Sequence, residues 1–518
     1  MSISLQRMME RAARTNPNGD CVVFQGQSRS WKQVQERVAR LAGALQALNL
    51  DEGDRVAILS LNCANYYEGL FTVPWAGYCV VPLNTRWALP ENEYALGDSG
   101  AKVILFDDAF AAQVKELLES VAGLTHAIYI GGGECPDWAL DVEKLIETSA
   151  PVAASARGGE EMAGIFYTGG TTGFPKGVMQ SHLAIWASAV SALPAFGLGR
   201  HSRYLHAAPM FHMADLVGSM GAILTCSANV ILQAFDPAKF LELVEKERVT
   251  HSLIVPAMIK MVLNHPDVAT TDISSLEMVM YGASPMPAAT LEKFMRVWPN
   301  VSLAQAYGQT ELAPIATILP PEDHAPGSEF LRSAGRPTSI SDIRCINEDG
   351  IDCELGEPGE ILVRGPQAMM GYWKQPEQTE KALKDGWVYT GDAGYFTDTG
   401  HLYIVDRVKD MVITGGENVF TTEVENAVMS HDAVQDVAVI GIPSEEWGET
   451  VHAIVILAPD MQATEDEIKA HCRGIIAGYK LPKSVQFRSE PMPLSGAGKV
   501  LKTELRKPFW EGQARQIS

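Results

Sequence analysis

Along the first hundred residues the apolar positions change period several times. Trp31, Val34, Val38, Leu41, Leu45 and Leu48 recur at steps of three and four, so one face of a helix here is apolar. RVAILSL (55–61) is instead a short unbroken apolar run, the pattern of a strand buried on both faces. ANYYEGLFTVPWAG (64–77) predicts a helix, YCVVPL (78–83) a strand, PENEYALGDSG (90–100) a helix and KVILFD (102–107) a strand. Strand and helix taking turns implies a parallel sheet covered by helices on both faces, because parallel strands need crossovers.

The alternation resumes further on. RYLHAAP (203–209), ANVILQ (228–233), THSLIVP (250–256), LEMVMYG (276–282) and SLAQAYG (302–308) predict strands, with helices such as PAKFLELVEKER (237–248) between them. Two similar α/β halves in one large domain follow. From about residue 340 short strands bounded by turn residues take over, DIRCINEDG (342–350) and GEILVRGP (359–366). A last unit follows residue 408. TTEVENAVMS (421–430) and TEDEIKAHCRGII (464–476) predict helices, VQDVAVIGI (434–442) and VHAIVILAP (451–459) strands. Roughly 110 residues suffice for a small domain. No long low-complexity linker precedes it, so the join is a short hinge near DRVKD (406–410).

Composition narrows the classes. A chain of 518 residues is too long for one ordinary core. A net charge of −22 argues against a general nucleic-acid binder, though a local Lys/Arg pocket can still take anions on an acidic body. The eight cysteines form no CxxC pair, so neither a structural zinc site nor a disulfide framework is indicated. MSISLQRMMERAARTNP (1–17) carries charges where a signal peptide needs an apolar run. The longest apolar stretch, LFTVPWAGYCVVPL (70–83), is broken by Pro74 and Gly77 and is too short to span a bilayer. No transmembrane segment is expected, and a cytoplasmic location follows by elimination.

The chemistry concentrates in four segments. FYTGGTTGFPKGVMQSH (166–182) runs from a strand into a loop of small residues. Gly169, Gly170 and Gly173 let backbone approach a phosphate, Thr168, Thr171 and Thr172 offer hydroxyls, and Lys176 adds charge. A P-loop is excluded: Pro175 stands where glycine must precede the lysine, and Gly177 where Ser or Thr must hold magnesium. QAYGQTEL (305–312) places Tyr307, Gly308, Thr310 and Glu311 at the end of a predicted strand, where ligands bind in such sheets. YTGD (389–392) and DRVKD carry Asp392 and Arg407, and PLSGAGKVLK (493–502) sets Lys499 in a glycine-rich turn.

With these four motifs in this order, the sequence resembles the adenylate-forming superfamily: AMP-forming acyl-CoA synthetases, carrier-protein adenylation domains and firefly-type luciferases. The resemblance covers nearly the whole chain. It implies an α/β fold with a large N-terminal domain, 1–407, of two α/β subdomains plus a small β-subdomain. A small mobile α+β C-terminal domain, 408–518, would follow. It implies ATP, Mg²⁺ and CoA as reaction partners of a small carboxylic acid. The loop would cradle the β- and γ-phosphates, with Lys176 at its mouth. Thr310 would bond the α-phosphate, and Glu311 would hold Mg²⁺. Gly282, Ala283 and Ser284 in YGAS (281–284), with Tyr307 and Gly308, would form the adenine slot. Asp392 and Arg407 would take the ribose, and Lys499 would bridge carboxylate and α-phosphate. His212 resembles the residue between nucleotide and acyl pocket, or is a core histidine. Lys409 resembles the hinge pivot, and Gly415 and Gly416 the thiol tunnel. Trp447 either lines the CoA entrance or is a plain surface aromatic.

CoA is the expected acceptor, because DRVKDMVITGGENV (406–419) resembles CoA ligases more than adenylation domains. Met213, Ala214, Gly218 and Gln305 would line the acyl pocket. Ala214 and Gly218 leave volume, which fits a medium- or long-chain fatty acid or a bulky ring acid; an aryl propenoate is the alternative. Asp215 either faces a polar substrate group or is a helix N-terminal charge. A non-catalytic nucleotide sensor on the same fold would lack Lys499, Glu311 or Asp392, and all three are present. A homodimer stays open.

Overall fold

The computed structural model describes residues 3–168, 175–284, 286–414, 417–444, 446–494 and 500–511. By contacts the chain forms two units, residues 1–343 with 363–389 and residues 344–362 with 390–518. The expected hinge segment 406–410 lies, by contacts, inside the smaller unit.

The larger unit holds two sheets. The first runs Gly371–Tyr372, Lys176–Ser181, Met162–Thr168, Cys79–Pro82, Arg55–Leu59, Ala101–Phe106, His126–Tyr129, Leu140–Asp141. From Met162–Thr168 to Leu140–Asp141 neighbours are parallel; the two strands at the other edge are antiparallel. The second sheet runs Arg336–Pro337, Thr317–Leu319, Ser302–Tyr307, Met278–Gly282, His251–Leu253, Arg203–His206, Ala228–Ile231, Asp20–Phe24, Gln27–Ser30. Its centre is parallel as well. The N-terminal hairpin thus completes the edge of a sheet built mainly from residues two hundred positions later. Nothing in the pattern of DCVVF (20–24) announced this.

The helices obey their periods. Trp31–Gln46 opens on a Ser30/Gln33 capping box and buries Trp31, Val34, Val38, Leu41 and Leu45; Leu48 falls just past its end. Ala64–Ala76 is buried on nearly every side, and Gly77 ends it in the left-handed conformation at φ 97°. The apolar stretch 70–83 therefore divides into helix and strand, and no helix among the described residues is long and apolar enough to cross a membrane. None of the eight cysteines is paired.

A small sheet of Asp342–Ile346, Gly359–Arg364, Trp387–Phe396 and Leu383–Lys384, with Leu402–Arg407 antiparallel on Trp387–Phe396, contains the chain's passages from one unit to the other. The smaller unit has its own sheet, Glu417–Val419, Val412–Thr414, Gly448–Leu457, Val434–Ser444, with Ser484–Phe487 parallel on Gly448–Leu457. Helices Thr421–Met429 and Glu465–Arg473 cover it around a core of Val424, Val428, Val439, Val455 and Ile468.

Candidate functional site

In the larger unit the phosphate-loop candidate falls in sequence between two antiparallel partner strands, Met162–Thr168 and Lys176–Ser181. Thr168 ends one strand and pairs directly with Lys176, which begins the next. Gly169, Gly170, Thr171, Thr172 and Gly173 lie outside the described residues. Gly177 has a packing reason, since a Cβ there would stand 2.7 Å from Ile165 Cγ2.

Lys176 leads to the metal candidate through residues that the sequence did not single out. Its ammonium donates to Gln378 Oε1 at 3.2 Å and lies 5.0 Å from the centre of the Tyr372 ring. The Tyr372 hydroxyl donates to Glu311 Oε1 at 2.8 Å. Glu311 sits in the turn Thr310–Leu312, and its carbonyl accepts from Met369 N–H at 2.8 Å. Gln180, wholly buried in the hairpin, donates to the Thr310 carbonyl at 2.6 Å. Lysine, tyrosine and glutamate are thereby aligned across almost 200 residues of sequence. A buried glutamine in the strand KGVMQS was the available signal.

The adenine-slot candidates lie at adjacent strand ends, with Tyr281 paired to Gln305 and Gly282 to Ala306. A Cβ on Gly282 would be 2.2 Å from the Ala306 oxygen, and one on Gly308 2.0 Å from the Pro314 oxygen, so neither position admits a side chain. Ala283 is exposed at φ 64°, and Ser284 and Tyr307 are half-buried. Tyr281 itself points away into a bond with His324 at 2.9 Å. The Pro320 carbonyl can only accept, so His324 Nδ1 bears the proton and Nε2 receives the Tyr281 hydroxyl. Burial holds His324 below the usual imidazole range.

His212 is the residue before helix Met213–Thr225, its ring 4.5 Å from Phe211. Met213 is buried and Ala214 half-buried, packed with Leu253, Met280, Ala304, Ile315 and Tyr204. Gly218 does not open space: the position of a Cβ there is only 2.1 Å from Tyr204 Cζ. The Tyr204 ring already occupies the room that the missing side chain leaves. Asp215 is no exposed N-terminal charge, being fully buried with Oδ2 2.7 Å from His206 Nδ1.

In the smaller unit Asp392 and Arg407 are cross-strand partners, joined at 2.7 Å. Asp392 is buried and its N–H donates to Thr390 Oγ1. The ribose-contact candidates are thus one pair. Burial and the Arg407 charge lower the Lys409 pKa. Arg506 donates to the carbonyls of Lys409 at 3.0 Å and Asp410 at 2.8 Å and pairs with the Asp410 carboxylate at 3.4 Å. Gly415 and Gly416 lie outside the described residues, between Thr414 and Glu417, which pair. Lys499 also lies outside them, in a segment whose flanks Leu494 and Val500 form a bridge. Lys502, just beyond, donates to Thr421 at 2.6 Å and pairs with Glu425 at 2.7 Å. Trp447 is 47% exposed.

Each unit by itself thus holds groups suited to an anionic ligand: in the larger, Lys176 and Glu311 both against Tyr372 beside the strand end at Gly282; in the smaller, the Asp392–Arg407 pair. The profile of the family described as AMP-binding enzyme matches residues 9–373, and that of its C-terminal domain matches 423–499. The chain belongs to this family. A feruloyl-CoA synthase of Amycolatopsis sp. is 38% identical over 96% of this chain and 98% of its own. A medium/long-chain-fatty-acid–CoA ligase of Mycobacterium tuberculosis is 35% identical over 96% and 88%. Among solved structures, the o-succinylbenzoate CoA synthetase of Bacillus subtilis, in complex with its acyl-adenylate intermediate, aligns at TM-score 0.84 and 27% identity, covering 100% of this chain and 99% of that one. This chain is an AMP-forming acyl-CoA synthetase, with ATP and CoA as co-substrates of a small carboxylic acid.

Proposed function

We propose that this synthetase acts on a compact, ring-bearing acid, and that its half-reactions divide between the two units. In the first, the carboxylate attacks the α-phosphorus of ATP and pyrophosphate leaves. In the second, the CoA thiol attacks the acyl carbonyl and AMP leaves. Activation is needed because oxide is a poor leaving group and AMP a good one. The residues' task is to position anions and spread charge.

Lys176 and the loop before it take the β- and γ-phosphates, and Thr310 the α-phosphate. Gly282, Ala283, Ser284, Tyr307 and Gly308 take the adenine. Asp392 accepts the ribose hydroxyls beside Arg407. Glu311 suits Mg²⁺: it is a hard oxygen ligand, and the Tyr372 hydroxyl orients one of its oxygens. No cluster of three metal-ligating side chains exists among the described residues, which suits an ion that takes most of its oxygens from phosphate and water. That ion would offset phosphate charge. Lys499 serves adenylation alone, and Gly415 and Gly416 serve thiol access alone, with Lys409 as pivot between residues 1–407 and 408–518. Trp447 borders the CoA path. His212 separates nucleotide from acid, and Met213, Ala214 and Gln305 contact the acid. Eight unpaired cysteines suit the reducing cytoplasm.

The Tyr204 ring against Gly218 carries the choice of acid: the room beside that glycine is filled, which favours a compact acid over a long chain. The feruloyl relative supports the same reading. The apolar packing around Ala214, and the fatty-acid ligase relative, favour the second reading of a medium- or long-chain acid. A panel of aryl and alkyl acids, followed by AMP release with CoA present, decides. Ring acids should show the highest kcat/KM, with AMP and pyrophosphate in equal amounts. ADP and phosphate as products would overturn adenylation, and a preference for long alkyl chains would overturn the ring acid.

A further inference from the structure

Four buried side-chain oxygens around one turn of helix Met213–Thr225 have no hydrogen-bond partner among the described residues: Asp215 Oδ1, Ser219 Oγ, Tyr66 Oη and Tyr204 Oη. Asp215, Gly218 and Ser219 belong to that turn. The Tyr204 hydroxyl lies 2.3 Å from where a Gly218 Cβ would be, so it rests directly against the helix. Burial raises the pKa of both phenols, and the Asp215 carboxylate adds to it. The Leu253 N–H faces the Tyr204 oxygen. As a donor it can serve only the oxygen's lone pairs, and the hydroxyl proton is left without an acceptor among the described residues.

The other side of Asp215 is fully engaged. Asn229 uses its amide N–H groups on the Cys21 carbonyl at 2.8 Å and the Tyr67 hydroxyl at 3.2 Å, so its oxygen is an acceptor. His206 Nε2, 2.9 Å from that oxygen, must therefore carry a proton. His206 Nδ1 and Asp215 Oδ2 share a hydrogen bond at 2.7 Å. This bond holds the carboxyl in one orientation, with Oδ1 left over as an acceptor.

Buried polar atoms almost always have partners, and four orphans at one turn call for a group that can both donate and accept. A hydroxyl is such a group: its proton goes to Asp215 Oδ1, and its lone pairs receive Tyr204 or Ser219. Ala214, the neighbour of Asp215, packs in the same apolar cluster as Tyr204. We propose that the acid carries a hydroxyl at the end remote from its carboxylate, and that Tyr204, Asp215 and Ser219 receive it. This rests on the reading of Ala214 as a wall of the acyl pocket. The three residues set specificity and take no part in bond making.

Matched pairs of acids test it: 4-hydroxycinnamate against cinnamate, and ω-hydroxydecanoate against decanoate. In the unaltered enzyme the hydroxylated member of a pair should have the higher kcat/KM. Tyr204→Phe should reduce that ratio at least about tenfold, the scale of one buried hydrogen bond, and Ser219→Ala should reduce it less. A purely structural role would lower both members alike and leave the ratio unmoved. Activity confined to the decanoate pair would remove the ring acid while still testing the hydroxyl. The absence of any hydroxyl preference in both pairs would overturn the inference and assign the four oxygens to buried water. Ser219→Ala keeps the test open should Tyr204→Phe fail to fold.

Discussion

The turn that presents Glu311 and the segment that carries Lys409 are both short and irregular, but they are held in opposite ways. Separate anchors converge on the turn: Gln180 on the Thr310 carbonyl, Met369 N–H on the Glu311 carbonyl and the Tyr372 hydroxyl on the carboxylate. On the segment Arg506 grips the carbonyls of Lys409 and Asp410, beside local backbone bonds from Val408 N–H to Gly391 and from Asp410 and Met411 N–H to Arg407. Under the proposed division of labour, anchors from several elements would keep Glu311 in place through both steps, and a segment gripped chiefly by one side chain would let the Lys409 backbone change its angles between them.

The sharpest test of this division removes the proposed agents of each step. Lys499→Ala should slow acyl-adenylate formation by roughly 100- to 1000-fold while still converting a supplied acyl adenylate and CoA to thioester. Gly416→Leu should do the reverse. Single-turnover kinetics of each half-reaction for each variant are the measurement. Equal loss in both halves would mean that the steps are not divided.

Acid should next separate the units. In the larger one, burial lowers His182 and His251 to about 4 from an ordinary 6.5. Both are neutral when folded, so the unfolded chain takes up protons first as pH falls. Their contribution is complete above about pH 6.5 and is lost as pH drops towards 4, about 3 kcal/mol for each. In the smaller unit His452 is lowered in the same sense. Urea unfolding between pH 7 and 4.5 should show the larger unit weakening more steeply, and His182→Gln should flatten that slope. An unchanged slope would remove His182 from the account.

The smallest effect bears directly on the anchoring. Arg506→Ala should destabilise the smaller unit by about 2 kcal/mol, since hydrogen bonds from a charged donor are lost. It should also change the ratio of the two half-reaction rates. Arg506→Lys should recover little, because a point charge cannot span two carbonyls. Gln180→Ala should cost comparable stability in the larger unit and leave that ratio alone. A ratio moved equally by both would erase the contrast.

Much of the larger unit was legible because its central strands are buried on both faces. RVAILSL, KVILFD and LEMVMYG are mostly apolar, and each became a strand within a residue or two of its expected limits. The links within the site were not legible. Lys176, Gln378, Tyr372 and Glu311 meet only through folding, and no spacing connects them. Gly218 was read as empty volume, when the ring that fills it comes from Tyr204 on another strand. Asp215 was ambiguous because its partner, His206, lies nine residues back on a different element. Glycine and charge show what a position permits, and only the neighbours show what it receives.

The hairpin Asp20–Phe24 and Gln27–Ser30 has a consequence for how the molecule is made. Its parallel partner is Ala228–Ile231, so this early apolar segment must wait for roughly 200 more residues before it can pair. At about 5 to 20 residues per second, that is on the order of 10 to 40 seconds on the ribosome with an unsatisfied strand edge. During that interval the exposed strand edge is open to pairing with other chains. A holdase that covers the first thirty residues during synthesis would raise the yield more than one acting after release.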